Sequence, residues 1–167
     1  LGMLQAARRG QVTDRVLTVV TTTLYAAPSF WLALALVAVF TYGAATLGLP
    51  AEWRLPAFGI RTPGVTLSGW DAFVDLARHA ILPVSILAGV GAAGIARYAR
   101  TNVADVLGME FVRTARAKGL STRAVYLRHV LANVMPTPVV LFALSLPGLL
   151  AGSIFVESVF AWPGLGR

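Results

Sequence analysis

The sequence predicts an all-α integral membrane protein, a polytopic bundle of transmembrane helices with about three complete spans. Three observations carry this reading. First, 57% of the 167 residues are hydrophobic and only 13% are charged, where a soluble domain carries roughly a quarter charged. Second, residues 16–51, 79–96 and 129–156 contain no Asp, Glu, Lys or Arg, and a membrane-spanning helix needs about 20 mostly apolar residues. Third, the basic residues gather in the segments that alternate spans would leave on one side. Three uncharged runs in so short a chain are hard to place in a water-soluble core.

The elements follow in order. The chain starts at Leu1 and stops after "WPGLGR", so it reads as a fragment, with residues 1–4 the end of an earlier span. Residues 5–15 are a cytoplasmic loop and 16–48 a span. Residues 49–78 are an external loop, rich in Pro and Gly, with a short helix at "GWDAFVDLARH". Residues 79–97 are a second span, 98–131 a cytoplasmic region, 134–157 a third span and 158–167 an external segment. Charge sets the orientation. Arg8, Arg9 and Arg15 precede the first span. Arg97, Arg100, Arg113, Arg116, Lys118, Arg123 and Arg128 lie between the second and third, so one side holds ten of the fourteen basic residues. The other side holds Arg54, Arg61, Arg78 and Arg167, balanced by Glu52, Asp71, Asp75 and Glu157. Short loops rich in Lys and Arg stay in the cytoplasm.

Prolines fit the same picture, because membrane helices tolerate them where neighbours satisfy the freed carbonyls. Pro83 and Pro136 are expected in first turns, where no hydrogen bond is lost; Pro28 and Pro147 are expected to kink their helices. Ala88, Ala92 and Ala96 recur at four-residue spacing beside Gly89 and Ala93. That pattern suits either close approach of two helices or a merely alanine-rich span.

Several functions are excluded. The sequence pI near 11.1 could suggest nucleic acid, but the placement of the charges assigns them to membrane orientation, and no nucleic-acid partner is expected. The chain has no cysteine, hence no thiolate metal site, and His79 and His129 form no metal-ligand pattern. There is no G-x-x-x-x-G-K-[ST] to bind ATP, no H-E-x-x-H and no G-x-S-x-G. Ser85, Ser145 and Ser153 have no histidine partner, so no catalytic residue is assigned. No ionisable residue sits near a span centre, which disfavours a proton-coupled carrier. Energy must come from a partner.

The stretch "RTARAKGLSTRAVYLRH", residues 113–129, holds five basic residues and no acidic one. A patch for anionic lipid or nucleic acid, a disordered tail and a docking element all compete for it. Leu120, Ala124, Leu127 and Leu131 recur at helical spacing, against a tail. "EFVRTARAKG" reads as a short helix with basic residues in its last turn, where they suit the dipole. Gly119 sits where a left-handed cap is needed, and Ser121 can cap the next helix. A helix, a glycine turn and a second helix form a knob of fixed shape, which suits docking to a protein.

These residues resemble a known family. "RTARAKGL", "LRHVLANVMPTPVV" and "LSLPGLLAGSIFVESVFAWPGLGR", with "DRVLTVVTTTLYAAPSFWLALALVAVF" and "ARYARTNVADVLGMEFVRTARAKGL" upstream, look like the permease of binding-protein-dependent ABC transporters, most closely the dipeptide, oligopeptide and nickel branch. The resemblance covers essentially the whole chain. It implies the fold of a type I ABC importer permease, six spans in a complete subunit, and a place in a bacterial or archaeal inner membrane. It implies an EAA loop whose short coupling helix docks on a cytoplasmic ATPase, carried here by Arg113, Thr114, Ala115, Arg116, Ala117, Lys118, Gly119 and Leu120. Of the general E-A-A-x-x-x-G form only Ala115 and Gly119 match; Arg113 and Thr114 are the version of the peptide branch. A proline expected at Ala132 is replaced by Pro136 one turn later. The implied partners are a second homologous permease, two ATPase subunits that bind ATP and Mg, an extracytoplasmic solute-binding protein, and the bilayer; no cofactor or metal is implied in this chain. The implied cargo is di- and oligopeptides, with nickel, glutathione or a sugar as alternatives, and a secondary carrier as a different class.

Glu157 closes the third window. Its carboxylate is either solvated at the headgroups or turned inward. With Trp162, Pro163 and Gly164 it is a candidate outer gate, in which Pro163–Gly164 makes a tight turn and Gly164 accepts a positive φ.

Overall fold

The computed structural model describes residues 1–44, 46–50 and 53–164. Glu52 in the predicted external loop, and residues 165–167 with Arg167 at the end of the predicted external segment, lie outside the described residues. Regular structure among the described residues is helical throughout. Two compact units form, Leu1–Ala26 with Gly91–Leu146, and Ala27–Val90 with Pro147–Arg167.

The chain runs through α1 (Gly2–Ala7), α2 (Val12–Ala26), α3 (Ser29–Val37), a wide π turn (Ala38–Tyr42) and the long α4 (Gly69–Leu107). Then come α5 (Glu110–Ala117), α6 (Thr122–Ala124), a second π segment (Val125–Val130), α7 (Leu131–Val134) and α8 (Pro136–Val159). By length and composition α4 alone can cross a membrane, and three spans result if residues 12–42 and 122–150, each a bent pair of helices, count as one span each. The helix boundaries differ from those expected. The short helix expected at "GWDAFVDLARH" is fused to the second span, so α4 begins at Gly69 and ends at Leu107, shortening the loops on both sides. Pro83 therefore lies inside α4 and not in its first turn, where its ring removes the bond that His79 O would otherwise accept. Pro136 does open α8, and Pro147 lies inside it. At Pro28 the chain breaks outright between α2 and α3, with Pro28 extended at φ −58° and ψ 132°.

The first unit packs α1, α2, the second half of α4, and α5 to α7. Its core is small and β-branched: Val103, Val106, Val112, Ala115, Val125, Val130 and Val134, with Ala6. Burying a valine in such a core from water contributes about 1.5–3 kcal/mol. The expected leucine face does not form. Leu120 and Leu127 are exposed, and Val125, Val130 and Val134 are inward instead. The π segment is the cause. Its wider turn puts residues five apart, Val125 and Val130, on one side, which moves the seam off the 3.6-residue register. The small-residue stripe also divides: Ala93 and Ala96 are buried, whereas Ala88 and Ala92 are exposed.

The second unit packs α3, the first half of α4 and the end of α8 around Ala33, Val37, Leu82, Ile86, Val156 and Phe160. The segment before α4 is pinned by backbone bonds, Leu55 N to Phe40 O at 3.0 Å and Gly59 N to Phe160 O at 2.8 Å. Asp75 on α4 accepts from Thr62 N at 2.9 Å and Thr62 Oγ1 at 2.6 Å. These two donors, the hydroxyl first, hold its carboxyl below the usual range, and nearby His79 and Arg61 add to the effect.

Candidate functional site

The basic segment forms the knob that its residues suggest. Val112 and Ala115, three apart, share one face of α5 and are buried against the valine core. The eight candidate coupling residues thus divide by role. Ala115 anchors the helix, while Arg113, Thr114, Arg116, Ala117, Lys118, Gly119 and Leu120 are exposed. Gly119 has φ 77°. Its N–H donates to Arg116 O at 2.9 Å, and Leu120 N–H donates to Ala115 O at 3.4 Å. These two bonds make a Schellman cap, which closes the helix through a left-handed residue. Ser121 follows with extended backbone, and its Oγ accepts from Ala124 N at 3.3 Å. No ion pair ties Arg113, Arg116, Lys118, Arg123 or Arg128 down among the described residues. The knob therefore presents a fixed basic face.

An ion pair in the same unit, between a buried carboxylate and a half-buried arginine, has no signature in the sequence. Asp14 at the start of α2 is 3% exposed. Arg100 on α4 donates Nε to its Oδ1 at 2.8 Å and Nη2 to its Oδ2 at 2.9 Å. Gly10 N donates to Oδ2 at 3.0 Å and Thr18 Oγ1 to Oδ1 at 3.4 Å. The guanidinium first, and then the Gly10 amide, hold the Asp14 carboxyl far below the usual carboxylate range. Two residues on from Arg100, Asn102 Nδ2 donates to Thr137 Oγ1 at 2.7 Å. Together these contacts join α2, α4 and α8 around the base of the knob.

The candidate gate residues lie in the other unit. α8 ends at Val159, and Trp162 N donates to Glu157 O at 2.9 Å. The positive φ falls on Ala161, at 49°, and not on Gly164. Gly164 is needed for another reason. A Cβ there would overlap the Glu157 carboxylate, which lies directly against it. Glu157 and Trp162 are half-buried. The carboxylate is thus folded back onto the segment after α8. Gly164 lies against it, and Trp162 meets Glu157 through the backbone bond. Among the described residues no group of three His, Cys, Asp or Glu could hold a metal.

The whole chain, residues 1–167, matches the family described as binding-protein-dependent transport system inner membrane component. It is 38% identical over 168 residues to the oligopeptide transport system permease protein OppB of Mycobacterium bovis, covering 100% of this chain and 50% of that protein. It is 36% identical to the oligopeptide transport system permease protein AppB of Bacillus subtilis, covering 99% of this chain and 49% of that one. It is 34% identical to the dipeptide transport system permease protein DppB of Escherichia coli, covering 100% and 52%. The chain spans about half the length of these relatives.

Proposed function

Because the chain belongs to the family of binding-protein-dependent transport system inner membrane components, we propose that it is the membrane part of a permease subunit in an ATP-driven importer of di- and oligopeptides. The single observation that carries the mechanism is the knob from α5 to α6. It is a basic, exposed face on a helix whose other face is locked into the valine core. Such a face transmits a push from a docked partner to the spans, because α5 cannot move without moving α4 and α7. The peptide names of three relatives support the cargo.

In this reading the basic ends of the helices face the cytoplasm, and the subunit is multi-pass in the inner membrane. Arg113, Thr114, Arg116 and Lys118 contact an ATPase subunit, and Gly119 sets the angle of approach. Two ATPase subunits bind ATP and Mg; this chain binds neither. ATP draws them together, the knob follows, and this subunit with a second, homologous permease opens outward to receive peptide from an extracytoplasmic binding protein. Glu157, Trp162, Pro163 and Gly164 lie at the outer end and shape the gate. Hydrolysis resets the pair.

The test is uptake by the complete transporter in proteoliposomes. A labelled dipeptide should accumulate only with ATP at the knob side and binding protein at the other. Accumulation driven by a proton gradient without ATP would assign the chain to another class. ATP-driven uptake of nickel, glutathione or a sugar with none of a peptide would keep the transporter and replace the cargo.

A further inference from the structure

Residues 100–106 of α4, about 9 Å of helix at 1.5 Å per residue, are held from three sides within the first unit. Val103 and Val106 share the valine core with Val112 and Ala115 of the knob. Asn102 holds α8 through Thr137, and Arg100 holds α2 through Asp14. The knob is thus fixed to α4 by apolar packing, and α4 to α2 and α8 by polar side chains as well. The two kinds of contact constrain motion differently. Burial of valines is non-directional. The Arg100 fork meets the carboxylate with two parallel bonds, which fix rotation as well as distance.

Asp14 does more than match one arginine. Its Oδ1 accepts from Arg100 Nε and Thr18 Oγ1, and its Oδ2 accepts from Arg100 Nη2 and Gly10 N. Gly10, at φ 81°, lies in the turn between α1 and α2. One carboxylate therefore joins α4, α2 and that turn. A separate contact holds α1 to the same stretch of α4. Gly2 lies so close that an added Cβ would sit 2.6 Å from Ala96 O and 2.7 Å from Ala99 Cβ. Ala96 is buried and stands one turn before Arg100. Gln5 of α1 also donates Nε2 to Thr18 Oγ1 at 3.3 Å. The α1–α2 hairpin thus grips α4 at two points a turn apart, Gly2 on Ala96 and Asp14 on Arg100. Two points fix the angle between hairpin and helix, which one point does not.

We propose that Asp14 and Arg100 are positioning residues of the transport cycle, which carry movement of the knob from α4 to the α1–α2 hairpin and so keep ATP use tied to opening of the path. The proposal rests on the importer reading given above. The route has three links. The docked ATPase moves α5, the valine core carries α4 with it, and the fork turns the hairpin through the same angle. Without the fork the first two links remain, so ATP hydrolysis continues while α1 and α2 lag behind.

The test uses the full-length complex in proteoliposomes, with one spin label in an otherwise cysteine-free complex, at Arg9→Cys in the turn or Arg123→Cys on the knob; both positions are exposed. In wild type, ATP with loaded binding protein should change the spectra of both labels. Asp14→Asn with Arg100→Gln should keep the change at 123 and lose the change at 9. Dipeptide taken up per ATP hydrolysed should fall in that double variant by roughly 2–30-fold, the range for a lost coupling residue. Its thermal midpoint should lie above that of Asp14→Asn alone, so the loss is not one of folding. Arg100→Lys, which keeps the charge and loses the fork, should fall between the double variant and wild type in both readouts. Either readout at the wild-type level in the double variant overturns the proposal, and the pair then only holds the fold. If the double variant does not assemble, a wild-type result in Arg100→Lys overturns it equally. Loss of both label changes also overturns it, because movement then fails before α4. If wild type itself takes up no dipeptide with ATP, the importer reading falls and this proposal falls with it.

Discussion

Gly119 separates a precise docking angle from an ordinary loop, and its geometry sets the size of the effect. The residue sits at φ 77°, and a Cβ added there meets nothing within 4 Å. A side chain therefore costs only the left-handed backbone itself, on the order of 1–2 kcal/mol. The alternative is to unwind the cap, which releases Gly119 N from Arg116 O and Leu120 N from Ala115 O at about 1 kcal/mol each. The two routes cost about the same, so both will be populated. A shift of 1–2 kcal/mol changes the population of the aligned knob by roughly 5–30-fold. Gly119→Ala should lower uptake, and the ATP hydrolysis stimulated by loaded binding protein, within that range. Gly119→Asn should retain most activity, because asparagine enters the left-handed region more readily, and Gly119→Val should be worst. Insertion and basal hydrolysis should be unchanged. The assay is uptake and stimulated hydrolysis in proteoliposomes at equal protein level. Full activity in the alanine and valine variants, or an asparagine variant as poor as alanine, would refute the reasoning.

Two further predictions concern carboxylates, the buried Asp14 and the half-buried Glu157. Asp14→Asn leaves the half-buried Arg100 against a neutral partner and should lower the thermal midpoint more than the double variant Asp14→Asn with Arg100→Gln. The folded-state pKa of Asp14 is depressed, so its contribution is present above the ordinary carboxylate value. The contribution is lost as pH falls toward the folded pKa. The deficit of Asp14→Asn should thus stay constant from pH 8 to 5 and shrink below about pH 4; a deficit that grows in acid would contradict the pairing. Gly164→Ala should displace the Glu157 carboxylate and reduce uptake as Glu157→Gln does, with the binding protein's peptide affinity untouched. Unchanged uptake in both would return these residues to the outer surface.

Local signals were legible in the sequence, and long-range ones were not. Absence of charge marks the apolar runs because a charge in lipid is costly wherever it sits along the chain. Gly119 and Ser121 were readable because cap chemistry depends on a few adjacent residues. Leu120 and Leu127 misled because a π turn at Val125–Val130 changes the register, and nothing in the side-chain pattern announces it. Pro83 misled because the helix expected before it continues into the span. The Asp14–Arg100 pair joins residues 86 apart in sequence, so neither periodicity nor composition carries a trace of it. The same holds for Gly164, where the lack of a side chain leaves room for Glu157.

The central claim is that the exposed face of α5 docks on an ATPase subunit. Cysteine in place of Arg116, in a cysteine-free full-length permease within the complete complex, tests it directly. A short bifunctional maleimide should link this cysteine to one engineered into the ATPase cleft, with a yield that changes when ATP is bound, while an impermeant maleimide applied to intact cells leaves it unlabelled. Labelling from outside, or no link to the ATPase in an assembled and active complex, would contradict the account.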